Sequence, residues 1–373
     1  MSPALTLPGR ARPLTVERPP WPAAHRPATT RRAYAAAHVA ARSGGEIDWE
    51  STLAFREYLW SHGFGVAEAM DTAQRGMGLT WEQARELIER SAARAAETGG
   101  LLVCGAGTDQ LSAGASLSQV SAAYEEQITA VEATGATAVV MASRALAGAA
   151  RSAQDFRDVY RHLLGGVRRP VILHWLGEMF DPALAGYWGA DSFERAAATV
   201  LEIIADAGAK VDGIKLSLLD ADKEIWLRRR LPHGVRMYTG DDFGYAELIE
   251  GDDQGHSDAL LGALAAITAP AAEALAALDE GDIARYRSLI EPTLPLSRTL
   301  FEAPTYRYKA GIAFIGWLNG LQPEFAMVGG FERQRSDEHL LRVFELAAGC
   351  GALIEPELAV ERMSQRLGTR SAA

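Results

Sequence analysis

Lys215 is the residue of this chain best placed by type and surroundings to do chemistry. It lies in the apolar, strand-like run Val211-Asp212-Gly213-Ile214-Lys215-Leu216-Ser217. A lysine in such a run must find partners or lose its hydration shell. Loss of hydration favours the neutral amine, which is a nucleophile. A lysine at a strand end can instead send its ammonium to water, or pair with Asp212 or Asp241, and spacing alone leaves both open. Other polar residues fall beside neighbouring apolar runs: Asp71 and Thr72, Thr108 and Asp109, Ser143 and Arg144, His174, Asp241 and Asp242, and His256. Singly, Asp and Thr in such places cap helices, and a lone histidine is more often a hydrogen-bonded core residue than a catalyst. Gathered around one lysine, they supply the hydroxyl, imidazole and carboxylate groups that carbonyl chemistry at an amine requires.

Whether they gather depends on the elements that carry them. Short apolar runs occupy residues 33–40, 65–70, 101–104, 138–142, 171–175, 211–216, 235–239 and 258–266, and helical patterns lie between them. Thr80-Trp81-Glu82-Gln83 has the spacing of a capping box and predicts a helix start. Eight strand-then-helix units at roughly 30-residue spacing predict an α/β protein of the (β/α)8 TIM-barrel class, with its chemistry at the carboxyl ends of the strands. An open doubly wound sheet would favour a glycine-rich phosphate turn after the first strand, and none is visible there. Helical patterns alone follow, at 271–278, 282–297, 308–318 and 337–347. The expected organisation is an N-terminal arm over 1–30, a barrel over 31–270 and a C-terminal helical appendage over 271–373.

The arm is rich in proline and arginine and has no apolar core of the length a secretory signal needs, so it is expected to wrap a neighbouring subunit or lie along the body. The net charge of -11 argues against nucleic acid as a partner. The basic run Arg228-Arg229-Arg230 is read as a solvated helix face. No apolar stretch reaches the roughly 18 residues of a membrane span. Two cysteines, Cys104 and Cys350, are too few for a disulfide framework and point to the cytoplasm.

Gly213-Ile214-Lys215, followed by Tyr238-Thr239-Gly240-Asp241-Asp242, resembles the paired "GIK" and "SGDD" motifs of the dihydrodipicolinate synthase and N-acetylneuraminate lyase family. Pro170-Val171-Ile172-Leu173-His174 is similar to that family's fifth strand, and Leu102-Val103-Cys104-Gly105-Ala106-Gly107 to its third. The resemblance runs in order from about Ala33 to Leu321. Gly65-Val66-Ala67-Glu68-Ala69-Met70-Asp71-Thr72 and the residues that follow, to Gly78, resemble the hallmark of a divergent branch catalogued as domain of unknown function 993.

The resemblance implies a class I lyase in which the strand-six lysine, here Lys215, attacks a 2-oxo carbonyl. The resulting Schiff base is its own electron sink, so neither cofactor nor metal is expected. His174 stands where the family has a proton-relaying tyrosine and is expected to be the general acid/base, with Thr72 in the relay. Ser143, Glu178, Ser217, Gly240, Asp241 and Asp242 are expected to bind substrate with Asp71 and Asp109. The family's carboxylate-binding arginine is replaced by Met179, leaving Arg75 and Arg144 as candidates for that role. The partner is therefore a small carbonyl compound, a 2-oxo acid or a keto-sugar, rather than the substrates of dihydrodipicolinate synthase itself. A homodimer or homotetramer is the expected assembly. Two other readings remain: a metal-dependent sugar isomerase or aldolase using Glu68, Asp71, Asp109, His174, Asp241 and His256, or a non-catalytic ligand-binding barrel.

Overall fold

The computed structural model describes residues 2–368. The chain divides into two compact units, one formed by residues 31–36 and 65–261 and the other by residues 1–30, 37–64 and 262–373.

The first unit is a closed barrel of eight parallel strands: β1 (Ala33–Ala36), β2 (Gly65–Glu68), β3 (Leu102–Ala106), β4 (Thr137–Val140), β5 (Val171–Leu176), β6 (Val211–Ser217), β7 (Arg236–Thr239) and β8 (Asp258–Leu261). Each pairs with the next, and β8 pairs with β1. Each expected apolar run supplies one strand, giving the (β/α)8 fold. Strands of such a barrel are covered on both faces, which is why they read as continuous apolar runs; all six residues of β5 are buried. The ends of those runs are less informative. The run 33–40 is strand only over its first four residues, and 258–266 is strand to Leu261 and then a 3-10 turn, Ala263–Ala265.

Side chains of a strand alternate between its faces. Tyr34, Ala67, Val103, Val139, Ile172, Tyr238 and Leu260, from seven strands, pack in one core cluster. Two residues on from Ile172 and Tyr238 in the same inward rows come His174 and Gly240. The register pairs Ile172 with Gly213, His174 with Lys215, and Lys215 with Tyr238, so Gly213, Lys215 and Ser217 form the inward row of β6. Gly213 must lack a side chain, because a Cβ there would stand 2.7 Å from the Tyr238 ring and 2.6 Å from the Arg236 carbonyl oxygen. Below, the Tyr238 hydroxyl donates to Asp212 at 2.6 Å, and Arg236 pairs with Asp258 at 2.9 Å.

The helix Trp81–Thr98 begins at the expected capping box. Thr80 Oγ1 accepts from the Gln83 amide at 3.3 Å, and Gln83 Oε1 accepts from the Thr80 amide at 3.0 Å. It ends at Gly99 with φ 74°.

In the second unit the expected helix over 282–297 is two helices, Ile283–Ile290 and Leu294–Leu300. The 3-10 turn Glu291–Thr293 separates them at Pro292, which has no N–H to continue the ladder. Arm residues lie against the C-terminal helical segment of their own chain. Trp21 Nε1 donates to the Gly351 carbonyl at 2.7 Å, Arg10 pairs with Glu345 at 2.9 Å, and Leu5, Leu7 and Val16 are buried. Exposed ion pairs contribute little, so burial of the apolar arm residues does more to hold the arm in place. Among the described residues no helix is long and apolar enough to cross a membrane.

Glu224, on the helix Ala221–Arg228, carries a pH signature of the fold. Its Oε1 accepts from Ser257 Oγ at 2.7 Å just ahead of β8, while its Oε2 is buried without a partner. Burial pushes its carboxyl from 4.5 up to about 8, against the pull of Ser257 and Thr239. The folded state therefore keeps a proton that the unfolded chain releases, so stability from this group is full below 4.5 and is lost as pH rises to about 8. Glu224→Gln should leave stability to urea nearly unchanged at pH 4.5 and raise it by about 1–4 kcal/mol at pH 8, each pKa unit being worth about 1.4 kcal/mol. An equal effect at both pH values would show that Glu224 is ionised in the fold.

Candidate active site

The inward row of β6 carries Lys215 into the carboxyl half of the barrel. It is 7% exposed, and among the described residues its Nζ has no hydrogen bond or ion pair. Burial lowers its pKa from the ordinary lysine value, against the upward pull of Asp71 and Asp242. Two carboxylates near enough to be felt, neither close enough to form a salt link, leave the amine available to a carbonyl carbon.

His174 is the register partner of Lys215 on β5 and is wholly buried. Its Nε2 lies 3.3 Å from Ser217 Oγ. Its Nδ1 has no hydrogen bond and stands 3.9 Å from Asp71 Oδ2. Burial first, and the Lys215 charge second, push the ring's pKa well below the ordinary histidine value. A neutral imidazole has one nitrogen that gives a proton and one that takes it, as a general acid/base needs.

Gly240 packs against these groups with no room for a side chain. A Cβ there would overlap Ser217 Oγ and stand 2.8 Å from both Lys215 Cε and the Leu216 carbonyl oxygen. Its neighbours divide their roles. Asp241 Oδ1 accepts from the amides of Phe243 at 2.8 Å and Gly244 at 2.9 Å, which shapes the loop after β7, while buried Asp242 acts on Lys215.

Asp71 and buried Thr72 sit in the 3-10 turn Asp71–Ala73 after β2. Ala69 with φ 51° and Gln74 with φ 65° flank that turn, two non-glycine residues in the left-handed region. Strain of this kind persists where surrounding structure holds it. Here Arg75 does so, donating to the carbonyls of Ala69 at 3.2 Å and Gly105 at 3.1 Å. Asp71 also lines a cavity of about 220 Å³ with Arg75, Thr108, Asp109, Ser143 and Arg144. The Thr108 and Ser143 hydroxyls are hydrogen-bonded to each other.

The structure thus brings together Lys215, His174, Ser217, Gly240, Asp71 and Asp242. It engages others elsewhere. Asp109 is gripped by Arg75, with Nε to Oδ2 at 2.9 Å, and by Gln127 at 3.0 Å. Burial would raise its carboxyl, but Arg75 and Gln127 hold it below its ordinary value. Arg144 pairs with Asp181. Glu178 is exposed and borders a neighbouring cavity with Trp175, Phe193 and Lys223. Glu68 alternates away from the barrel interior, where its oxygens accept from the Ala69 amide at 2.8 Å and Ser91 Oγ at 2.6 Å. His256 precedes β8 and so lies at the amino ends of the strands, away from Lys215. Of the six residues considered as metal ligands, Asp71 and His174 stand 3.9 Å apart, but among the described residues no group of three or more His, Cys, Asp or Glu side chains is arranged to hold a metal ion. Gln127, on the helix Leu117–Ala133, escaped sequence reasoning because only its distance from Asp109 gives it a role.

The barrel is the fold of dihydrodipicolinate synthase structures, as the motifs implied. A monomeric dihydrodipicolinate synthase variant matches with a TM-score of 0.68 at 16% identity, covering 87% of this chain and 97% of that one. The enzyme from Aquifex aeolicus matches at 0.65 and 17%, covering 85% and 97%. The chloride-inhibited enzyme from Acinetobacter baumannii, complexed with pyruvate, matches at 0.64 and 17%, covering 87% and 100%. Identities this low establish the fold alone. Within it, the chain belongs to the family described as Protein of unknown function (DUF993), whose profile matches residues 8–371. No curated protein matches the sequence.

Two substitutions probe the site through stability. Gly240→Ala should destabilise the fold by about 1–3 kcal/mol, because the Leu216 carbonyl cannot yield as a flexible side chain would. Lys215→Met should raise stability by about 1 kcal/mol at pH 7, since methionine fills the space without a desolvated charge. The folded amine binds its proton less tightly than the unfolded one, so that gain should shrink as pH climbs toward 10.5. Urea unfolding at pH 7 and pH 10 measures both; a loss of stability in Lys215→Met would mean that the amine is held by favourable contacts.

Proposed function

We propose that the protein is a lysine Schiff-base lyase, an aldolase, retro-aldolase or dehydratase, acting on a keto-sugar or 2-oxo acid. The observation that carries this reading is a buried amine without an ion-pair partner, set beside a buried imidazole inside the barrel. In this reading Lys215 adds to the substrate carbonyl, and His174 moves the protons of addition, dehydration and carbon–carbon bond change. Thr72, in the same turn as Asp71, is the hydroxyl that the family pattern assigns to the relay. Asp71 and Asp242 accept hydrogen bonds from substrate hydroxyls and repel a substrate carboxylate, which favours a keto-sugar over an oxo acid.

Borohydride reduction with a panel of keto-sugars and 2-oxo acids, followed by intact mass and peptide mapping, tests this. The expected result is a stoichiometric adduct on Lys215 that disappears in Lys215→Ala, with turnover reduced at least about a thousandfold. A substrate that turns over without leaving an adduct on Lys215 would show the mechanism to be wrong.

A further inference from the structure

We infer that Ser217 is a catalytic proton carrier, passing protons between the reacting centre at Lys215 and His174, and that Asp71 positions His174 for this exchange. The inference rests on the Schiff-base reading above.

Ser217 follows Lys215 by two residues on β6, so both side chains leave the strand on its inward face. The space that a Gly240 Cβ would take is bounded at once by Ser217 Oγ, which it would overlap, and by Lys215 Cε, at 2.8 Å. The lysine stem and the Ser217 hydroxyl therefore adjoin, and a carbonyl group joined to the Lys215 amine forms close to that hydroxyl. The same hydroxyl is 3.3 Å from His174 Nε2. On the far side of the ring, Nδ1 has no hydrogen bond and faces Asp71 Oδ2 at 3.9 Å. Only an Nδ1–H directed at that carboxylate is favourable there, and this tautomer leaves Nε2 to accept the Ser217 proton. The groups facing the imidazole are Asp71 from the turn after β2 and Lys215 and Ser217 from β6. Asp71, His174 and Ser217 thus line up toward the amine, the hydroxyl within hydrogen-bond reach of the ring and the carboxylate 3.9 Å behind it.

The chemistry balances with no further reagent. As the Lys215 lone pair forms the C–N bond, the carbonyl π pair moves to oxygen, and Ser217 takes one amine hydrogen while its own passes to His174 Nε2. Return of that proton makes the carbinolamine hydroxyl. One proton taken up from solvent at the carbinolamine hydroxyl lets the C–O bond break, water leaves with the bonding pair, and the nitrogen lone pair closes the C=N bond. The imine keeps the second amine hydrogen.

The test is the rate, and not only the extent, of borohydride-trapped adduct formation between pH 5 and pH 9, using dihydroxyacetone and hydroxypyruvate as probes. Ser217→Ala should slow trapping by about tenfold to a hundredfold near pH 7 and flatten the pH profile, with the final extent of labelling unchanged. Ser217→Thr and Ser217→Val form a shape-matched pair that differs in the hydroxyl alone. Threonine should restore most of the rate and valine should not, so the comparison survives a poorly folded alanine variant. Wild-type rates and pH profiles in both alanine and valine variants would overturn the relay while leaving the Schiff-base reading intact. No Lys215 adduct on wild-type protein with either probe, at any pH, would overturn both.

Discussion

Holding a lysine inside a closed barrel without a counter-ion is the constraint around which the site is built. An ammonium taken out of water costs more than most single contacts return, and the usual remedies are a salt link or loss of the proton. The barrel supplies no salt link to Lys215 within its described residues, yet it keeps Asp71 and Asp242 near enough to pull its pKa upward. That balance leaves the amine lowered but not stranded. Neither carboxylate makes the close contact with Lys215 that would bury the lone pair in an ion pair.

The inward rows of β5, β6 and β7 show how the sequence sets this up. Glycine at 213 admits the Tyr238 ring under Lys215, and glycine at 240 keeps a side chain out from beside it. Between the two glycines the lysine stem is closely packed. A bulkier residue at 213 would push on backbone of β7, and one at 240 on backbone of β6. The amine is therefore positioned by absent side chains as much as by those that touch it. The strained turn after β2 belongs to the same design, because Arg75 commits its guanidinium to two carbonyls and Asp109 and so fixes where Asp71 stands.

Much of this is legible in the sequence. Doubly buried strands give apolar runs, so eight runs become eight strands, and a lysine inside such a run marks the candidate site. What is not legible depends on distance along the chain. Nothing local distinguishes Asp109, locked to an arginine 34 residues earlier, from Asp242, which acts on the lysine. Asp241 and Asp242 are adjacent letters with opposite duties, decided by which one turns its oxygen back onto the Phe243 and Gly244 amides. His256 reads as a residue of the mouth because an apolar run does not say at which residue its strand begins. Glu68 reads the same way because a one-residue offset reverses the face a side chain occupies.

The charges at the mouth also argue for the kind of molecule that fits. Arg75 is answered by Asp109 and Arg144 by Asp181, so both arginines bordering the cavity already face carboxylates. Asp71 and Asp242 bear on Lys215 instead. In the proposed Schiff-base chemistry an imine nitrogen at Lys215 would carry the positive charge, and these two carboxylates would stabilise it, more strongly in the low dielectric of the barrel than in water. A substrate bringing its own carboxylate would weaken that stabilisation by repulsion and would meet no free arginine of this pair. A neutral polyhydroxylated carbonyl compound gains the same stabilisation without the opposing charge, and its hydroxyls offer donors to oxygens that can only accept.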